Sequence, residues 1–246
     1  MLLREVRGMA NFKKHFKTKK DVFIFLLMIL TAVMITVTGI VFGQNFLRIL
    51  PLYISLIIGM LQSRVNRFAS LIGSFNSLLY AAVYFYYSLY GAALSALVFS
   101  FPVQFLTFIR WNKNKDGQST VLRRMNFRTR IIVAAASIAS VVIMWIVLPL
   151  FGSQYVFLDS VSTMIGILIY FLTMFAFTEY TVFMVINCAI TIALHAQMLF
   201  DTPETAPFFV FSIYSFVCVA FSVIEASRLY KEQQKERTTV SDAESQ

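Results

Sequence analysis

Eight apolar runs, separated by short polar breaks, follow one another along the chain. Most approach the length of about 20 residues that carries a helix across a hydrocarbon core. Of the 246 residues, 59% are hydrophobic and 13% are charged, where an ordinary soluble domain carries roughly 25% charged residues. Water offers so much apolar surface nowhere to hide, whereas lipid solvates it. The succession predicts helices over 22–43, 47–62, 68–88, 90–110, 131–151, 158–177, 180–200 and 206–227, an all-α integral membrane protein with eight transmembrane helices. The second run is short and carries Pro51 near its start, where a helix tolerates proline. The third and fourth form almost one stretch, divided near 88–91.

Charge supplies an independent check on that count. The net charge of +9 raises nucleic acid as a partner, but no recognised binding module accompanies it. The basic residues instead gather in a tail over 1–21, at Arg64 and Arg67, in Arg110 and the loop 111–130, and in the end 228–246. With both termini cytoplasmic, that places 20 of the 21 Lys and Arg residues inside and only Arg48 outside, as the positive-inside rule asks. Removing one span would scramble the partition. The first run has an apolar core of about 21 residues and no small-residue cleavage site, so a retained span is expected rather than a signal peptide. The polar end 228–246 reads as a disordered tail. Cys188 and Cys218 lie inside apolar runs with no metal spacing, and buried free thiols are expected. His15 and His195 are the two histidines, and no catalytic signature is present. Neither an enzyme, a metal nor a cofactor is expected.

Two stretches match without gaps: 99–110, FSFPVQFLTFIR, and 214–225, YSFVCVAFSVIE. One helix earlier in each copy, Asn76 and Asn187 occupy corresponding places, displaced by four residues. The implied organisation is two three-helix bundles at 47–110 and 158–227, joined by a linker span at 131–151, with the extra helix 22–43 outside the repeat. An odd linker makes the repeats parallel, a symmetry seen in transporters that bind substrate at the repeat interface.

Polar side chains inside a bilayer face a neighbouring helix or a cavity. Tyr180, Phe183, Asn187, Thr191 and His195 recur at spacings of three and four, which places them along one helix face. Ser100, Gln104, Thr107 and Trp111 form a second stripe, and Ser215, Cys218, Ser222 and Glu225 a third. Asn76, Tyr80 and Tyr84 mark the third span. Converging stripes would make a polar, aromatic-walled pocket, because Asn and Gln offer both donor and acceptor groups. Ser and Thr alone serve equally well as glue between helices. His195, near a helix end, is expected at the interface, and Asp159 is expected to cap its own helix. Glu225 is expected to reach water or pair with Arg228. Trp111 and the tyrosines at 84–90 read by default as interfacial anchors.

These residues resemble a family. FPVQFLTFIRWNKNK (101–115) is similar to the Q…W-x-K-N ending of a core helix in PnuC-type nicotinamide riboside transporters. FLDSVST (157–163) resembles that family's L-D-[SA]-x-[ST]-T segment, and Tyr180-x-x-Phe183-x-x-x-Asn187 stands where the family has W-x-x-W-x-x-x-N. The likeness covers roughly 46–230. It implies a SWEET-like 3+1+3 fold with an added N-terminal helix, assembled as a homotrimer in the bacterial inner membrane. It also implies uptake of a vitamin precursor by facilitated diffusion. Tyr180 and Phe183 would then contact the base, and Asn187 and Gln104 would hydrogen-bond the ligand. Asn76, Tyr80, Thr107, Trp111 and Thr191 complete the candidate site. Both motif tryptophans are smaller aromatics here, which leaves open another nucleoside or vitamin. A capture subunit served by a separate ATPase, and a non-transporting sensor or scaffold, remain as alternatives.

Overall fold

The computed structural model describes residues 19–116, 119–152 and 155–244. The expected basic tail over 1–21 therefore lies largely outside the described residues. Among the described residues, nine α-helices build the fold: α1 Lys19–Val41, α2 Phe46–Gln62, α3 Phe68–Tyr86, α4 Tyr90–Ser95, α5 Phe101–Lys113, α6 Phe127–Val147, α7 Val156–Met174, α8 Tyr180–Asp201 and α9 Ala206–Glu244. A wide turn of π-helix, Ala96–Ser100, fuses α4 and α5 into one apolar segment, Tyr90–Lys113. Pro102 follows immediately. A proline deletes one i→i−4 bond, and a local widening is how a helix commonly absorbs such a defect.

Among the described residues, seven segments are long and apolar enough to cross a membrane, and α2, at 17 residues, is shorter. The chain is a multi-pass membrane protein. Its outward faces stay apolar: no residue of α6 is buried, and Leu26, Leu30, Ile132, Ile146 and Ile224 are exposed. In lipid that is the stable arrangement, since backbone polar groups are satisfied within each helix. The main core cluster joins Ile24 and Ile35 of α1, Leu52 and Leu56 of α2, Leu194 of α8, and Phe208 and Tyr214 of α9. Gly59 lets α9 approach α2, because a Cβ there would stand 2.8 Å from the Tyr214 ring. The Tyr214 hydroxyl then donates to the Leu56 carbonyl at 2.8 Å.

One end of the bundle carries most of the basic residues, and there the connections interlock. The hairpin Lys115–Asp116/Ser119–Thr120 follows α5. Arg123 bonds the α7–α8 turn in both directions, its amide donating to Ala176 and its carbonyl accepting from Thr178, each at 2.8 Å. The end 228–246, expected to be disordered, is instead helical through Glu244. Its anchor is the buried Gln233 side chain, which accepts from the Leu122 amide at 2.9 Å and donates to Asp116 at 2.6 Å and the Thr120 carbonyl at 3.1 Å. A polar segment orders when its polar groups find partners, which composition does not reveal.

Candidate functional site

Six segments, α2, α3, Tyr90–Lys113, α7, α8 and α9, surround a polar cavity to which α1 and α6 contribute no lining residue. It has two lobes. The inner one, of about 250 Å³, faces the basic end; the outer one, of about 270 Å³, faces away from it. Gln62, Gln104, Gly166, Tyr170, Asn187 and Ser215 line both and form the waist between them.

Asn187 comes from the middle of α8, and its Oδ1 is buried without a hydrogen-bond partner. An orphaned carbonyl costs about 1–3 kcal/mol, so the position is ready for an N–H or O–H from a bound solute. Gln104, from α5, donates to Ser100 at 2.6 Å and Ser77 at 3.2 Å, and those hydroxyls meet at 2.5 Å. The Gln104 carbonyl lies against Gly73 of α3, where any Cβ would overlap it. The absence of a side chain at Gly73 thus fixes where the carboxamide sits.

Polar groups facing the outer lobe are mostly held by one another. Asn76 donates to the Pro51 carbonyl at 3.0 Å and to Ser55 at 2.8 Å, while Ser55 donates to Tyr80 at 2.9 Å. Tyr80 stacks on Tyr84 with centroids 5.3 Å apart. Thr191 faces Ser162 at 3.4 Å. At the inner floor, Thr107 donates to its own helix at 2.7 Å, and Tyr180 is buried. Trp111 is buried there too, its Nε1 donating to the Thr173 carbonyl at 2.8 Å. Trp111 is therefore a wall of the cavity, not an anchor at the membrane surface.

Three expectations are corrected. Phe183 does not line the cavity: it packs towards Met125 and Val133 and lines a separate groove beside α6. Tyr180 and Phe183 lie about 60° apart around the helix axis at 100° per residue, and α8 meets different neighbours on those two bearings. His195 is buried, its Nδ1 2.5 Å from Ser212, on the outer lobe. Asp159 does not cap its own helix. Its buried carboxylate accepts from the Gly91 and Ala92 amides, each at 3.2 Å, and so closes the free N-terminus of α4. Glu225 behaves as expected, pairing with Arg228 at 2.6 Å and also with Lys20 at 3.4 Å.

Gln62 and Tyr170 belong to the waist and are absent from the sequence-predicted set. A signal for Tyr170 existed: Ser162, Gly166 and Tyr170 recur every four residues on α7, a small-and-polar stripe like those on α5 and α8. Asp159 is the one formally charged side chain among the described residues lining either lobe. Its charge is engaged by backbone amides, so the cavity suits a solute without strong negative charge.

Comparison with known proteins places this architecture. A solved structure titled the crystal structure of the vitamin B3 transporter PnuC shares the fold, with a TM-score of 0.75 at 21% identity, over 87% of this chain and 93% of that one. A curated nicotinamide riboside transporter PnuC from Neisseria mucosa is 29% identical over 144 residues, 55% of this chain and 54% of the relative. The match thus spans about half the length of that relative. The family model described as nicotinamide mononucleotide transporter matches residues 45–224. The chain belongs to the nicotinamide mononucleotide transporter family.

Proposed function

We propose that the protein takes up nicotinamide riboside, or a closely related nucleoside-like vitamin precursor, by facilitated diffusion. The observation that carries this reading is the unpartnered Asn187 carbonyl at the waist it shares with Gln104. A carboxamide N–H₂ or a ribose hydroxyl supplies the donor that Asn187 lacks. The remaining hydroxyls meet Gln104, Ser215 and the serines beside them. Tyr170 and Tyr180 offer flat surface to the ring, and an electron-rich face suits the positive charge of a ribosylated pyridine. The lobes together fall in the roughly 300–1,000 Å³ range of small-molecule sites.

Alternating access follows from the organisation we propose. Eight spans form a SWEET-like core of two parallel triplets, 47–110 and 158–227, with 131–151 as linker and 22–43 as an added helix. Support comes from the lining: three segments of each triplet contribute to it, and α1 and α6 do not. The triplets would rock about the shared cavity, in a homotrimer, in the bacterial inner membrane with both termini cytoplasmic. No coupling ion is required, since transport runs down a gradient. A second reading, uptake of a different nucleoside, is favoured by the missing tryptophans, because of the two replacements only Tyr180 lines the cavity.

The test is uptake of labelled nicotinamide riboside into liposomes containing only this protein. Saturable uptake is expected, falling at least tenfold in Asn187→Ala and Gln104→Ala. Saturable uptake unchanged in both variants sinks the assignment of the site.

A further inference from the structure

Below the inner lobe, at the basic end, lies another concavity of about 250 Å³. Its walls are the end of α5, the hairpin strap after it and the α7–α8 turn. Three cations line it, Arg110, Lys115 and Arg123. The positive-inside tendency explains why basic residues collect at this end. It does not explain why three of them, from the end of α5 and the strap directly after it, line one pocket. Their neighbours are otherwise engaged: Arg130 pairs with Glu179 at 2.9 Å, and Arg124 sits over the Tyr230 ring at 5.9 Å. Among the described residues, none of the three belongs to an ion pair. Asp116, next to Lys115 in sequence, accepts instead from Gln233 at 2.6 Å.

The frame around these charges is fixed by hydrogen bonds. Val121 donates its amide to Asn114 at 3.2 Å, and Thr120 its hydroxyl to the same carbonyl at 2.8 Å. Arg123 is tied to Ala176 and Thr178 through its backbone, which leaves its guanidinium free of any role in holding the strap. Arg110 lies over the Phe175 ring, its guanidinium carbon 4.7 Å from the ring centroid. Like charges gathered on a rigid frame repel one another, and an anion between them reverses that. Guanidinium and ammonium groups both pair with the oxygens of a phosphate group, which arginine binds in bidentate fashion.

We infer that this pocket binds a phosphate ester. Two sources share that chemistry, a soluble phosphate monoester and a phospholipid headgroup. The bound group would sit one indole away from the central cavity, because Trp111 lines both.

Trp111 also makes the test direct. The chain holds two tryptophans, and Trp145→Phe leaves Trp111 as the sole reporter. Trp145 is exposed on α6 and touches Phe157 edge-on, so the change is a mild one. The variant in detergent is titrated with glycerol 3-phosphate and with glycerol at matched ionic strength. A saturable emission change is expected with the ester and not with glycerol. Adding Arg110→Gln and Arg123→Gln weakens it at least tenfold, while Arg128→Gln, a loss of charge outside the pocket, leaves it unchanged. In nanodiscs, phosphatidylglycerol that competes out the soluble ester identifies a headgroup site, and undiminished ester binding identifies a soluble ligand. Two results overturn the proposal: no saturable change with the ester or with phosphatidylglycerol in place of phosphatidylcholine, or an equal weakening by Arg128→Gln. Should the double variant not assemble, Lys115→Gln replaces it, with the same tenfold weakening expected and an unchanged affinity counting against the site.

Discussion

Gly73→Ala separates stability from binding at the waist of the cavity. A Cβ at position 73 occupies the space of the Gln104 carbonyl. That carbonyl ends a flexible side chain, so the overlap is relieved by swinging the carboxamide away. Doing so gives up the Gln104 bonds to Ser100 and Ser77. The Ser77 bond joins two helices, where such bonds average about 0.6 kcal/mol, and with the Ser100 bond along the same segment the loss is about 1 kcal/mol. Replacing glycine by alanine inside a helix returns about 0.5–1 kcal/mol. The two terms nearly cancel, and the unfolding free energy should change by less than about 1 kcal/mol. Binding has no such offset. A displaced carboxamide loses its contact with solute and fills part of the waist, and about 1.4 kcal/mol corresponds to a tenfold loss of affinity.

The assay is a ligand-induced thermal shift with nicotinamide riboside on purified protein, run as a double-mutant cycle with Gln104→Ala. Gly73→Ala alone should weaken binding about tenfold, and in the Gln104→Ala background it should add nothing. That amounts to a coupling of about 1.4 kcal/mol, within the range for residues in contact. Equal weakening in both backgrounds would mean that position 73 acts through something other than Gln104. Unchanged affinity in the single variant would remove Gln104 from the ligand's reach altogether.

Asn187→Leu should raise stability by about 1 kcal/mol, because it removes an orphaned buried carbonyl, while abolishing saturable uptake; a melt showing lower stability contradicts the reading of that carbonyl. Gly166→Leu should fold with a melting temperature near that of the parent, since a Cβ there has nothing within 4 Å, yet lose ligand-induced stabilisation because the new side chain fills the waist. Asp159→Ala should destabilise by about 2–4 kcal/mol, leaving two amides at the start of α4 unpaired. Asp159→Asn should recover part of that loss, and a melt indistinguishable from the parent's would show that the carboxylate is not what closes α4.

Much of this molecule is legible before any coordinates. A run of apolar residues reports its own solvent, so a helix forms at each apolar run, although α2 is short and α9 continues through polar sequence to Glu244. Asn187 and Gln104 stand out because a carboxamide in a span has to be explained. Phe183 was legible as part of the same stripe, yet the structure turns it to the α6 groove. A stripe on one helix says which residues share a bearing but not which neighbour that bearing meets. Tyr170 had a weaker signal, because the Ser162–Gly166–Tyr170 stripe holds no carboxamide to single it out. The helical tail is a further case, for the partners of the buried Gln233 lie more than a hundred residues away.

The sequence by itself determined the solvent, the helical spans and the clustering of basic charge, because each of these is a local property of a short segment. Only the tertiary structure decided which polar groups share the cavity, which amides the Asp159 carboxylate satisfies, and that three cations face one pocket. Those facts depend on the rotation and contact of helices distant in the chain, and on single absent atoms such as the Cβ of Gly73, which no local pattern encodes.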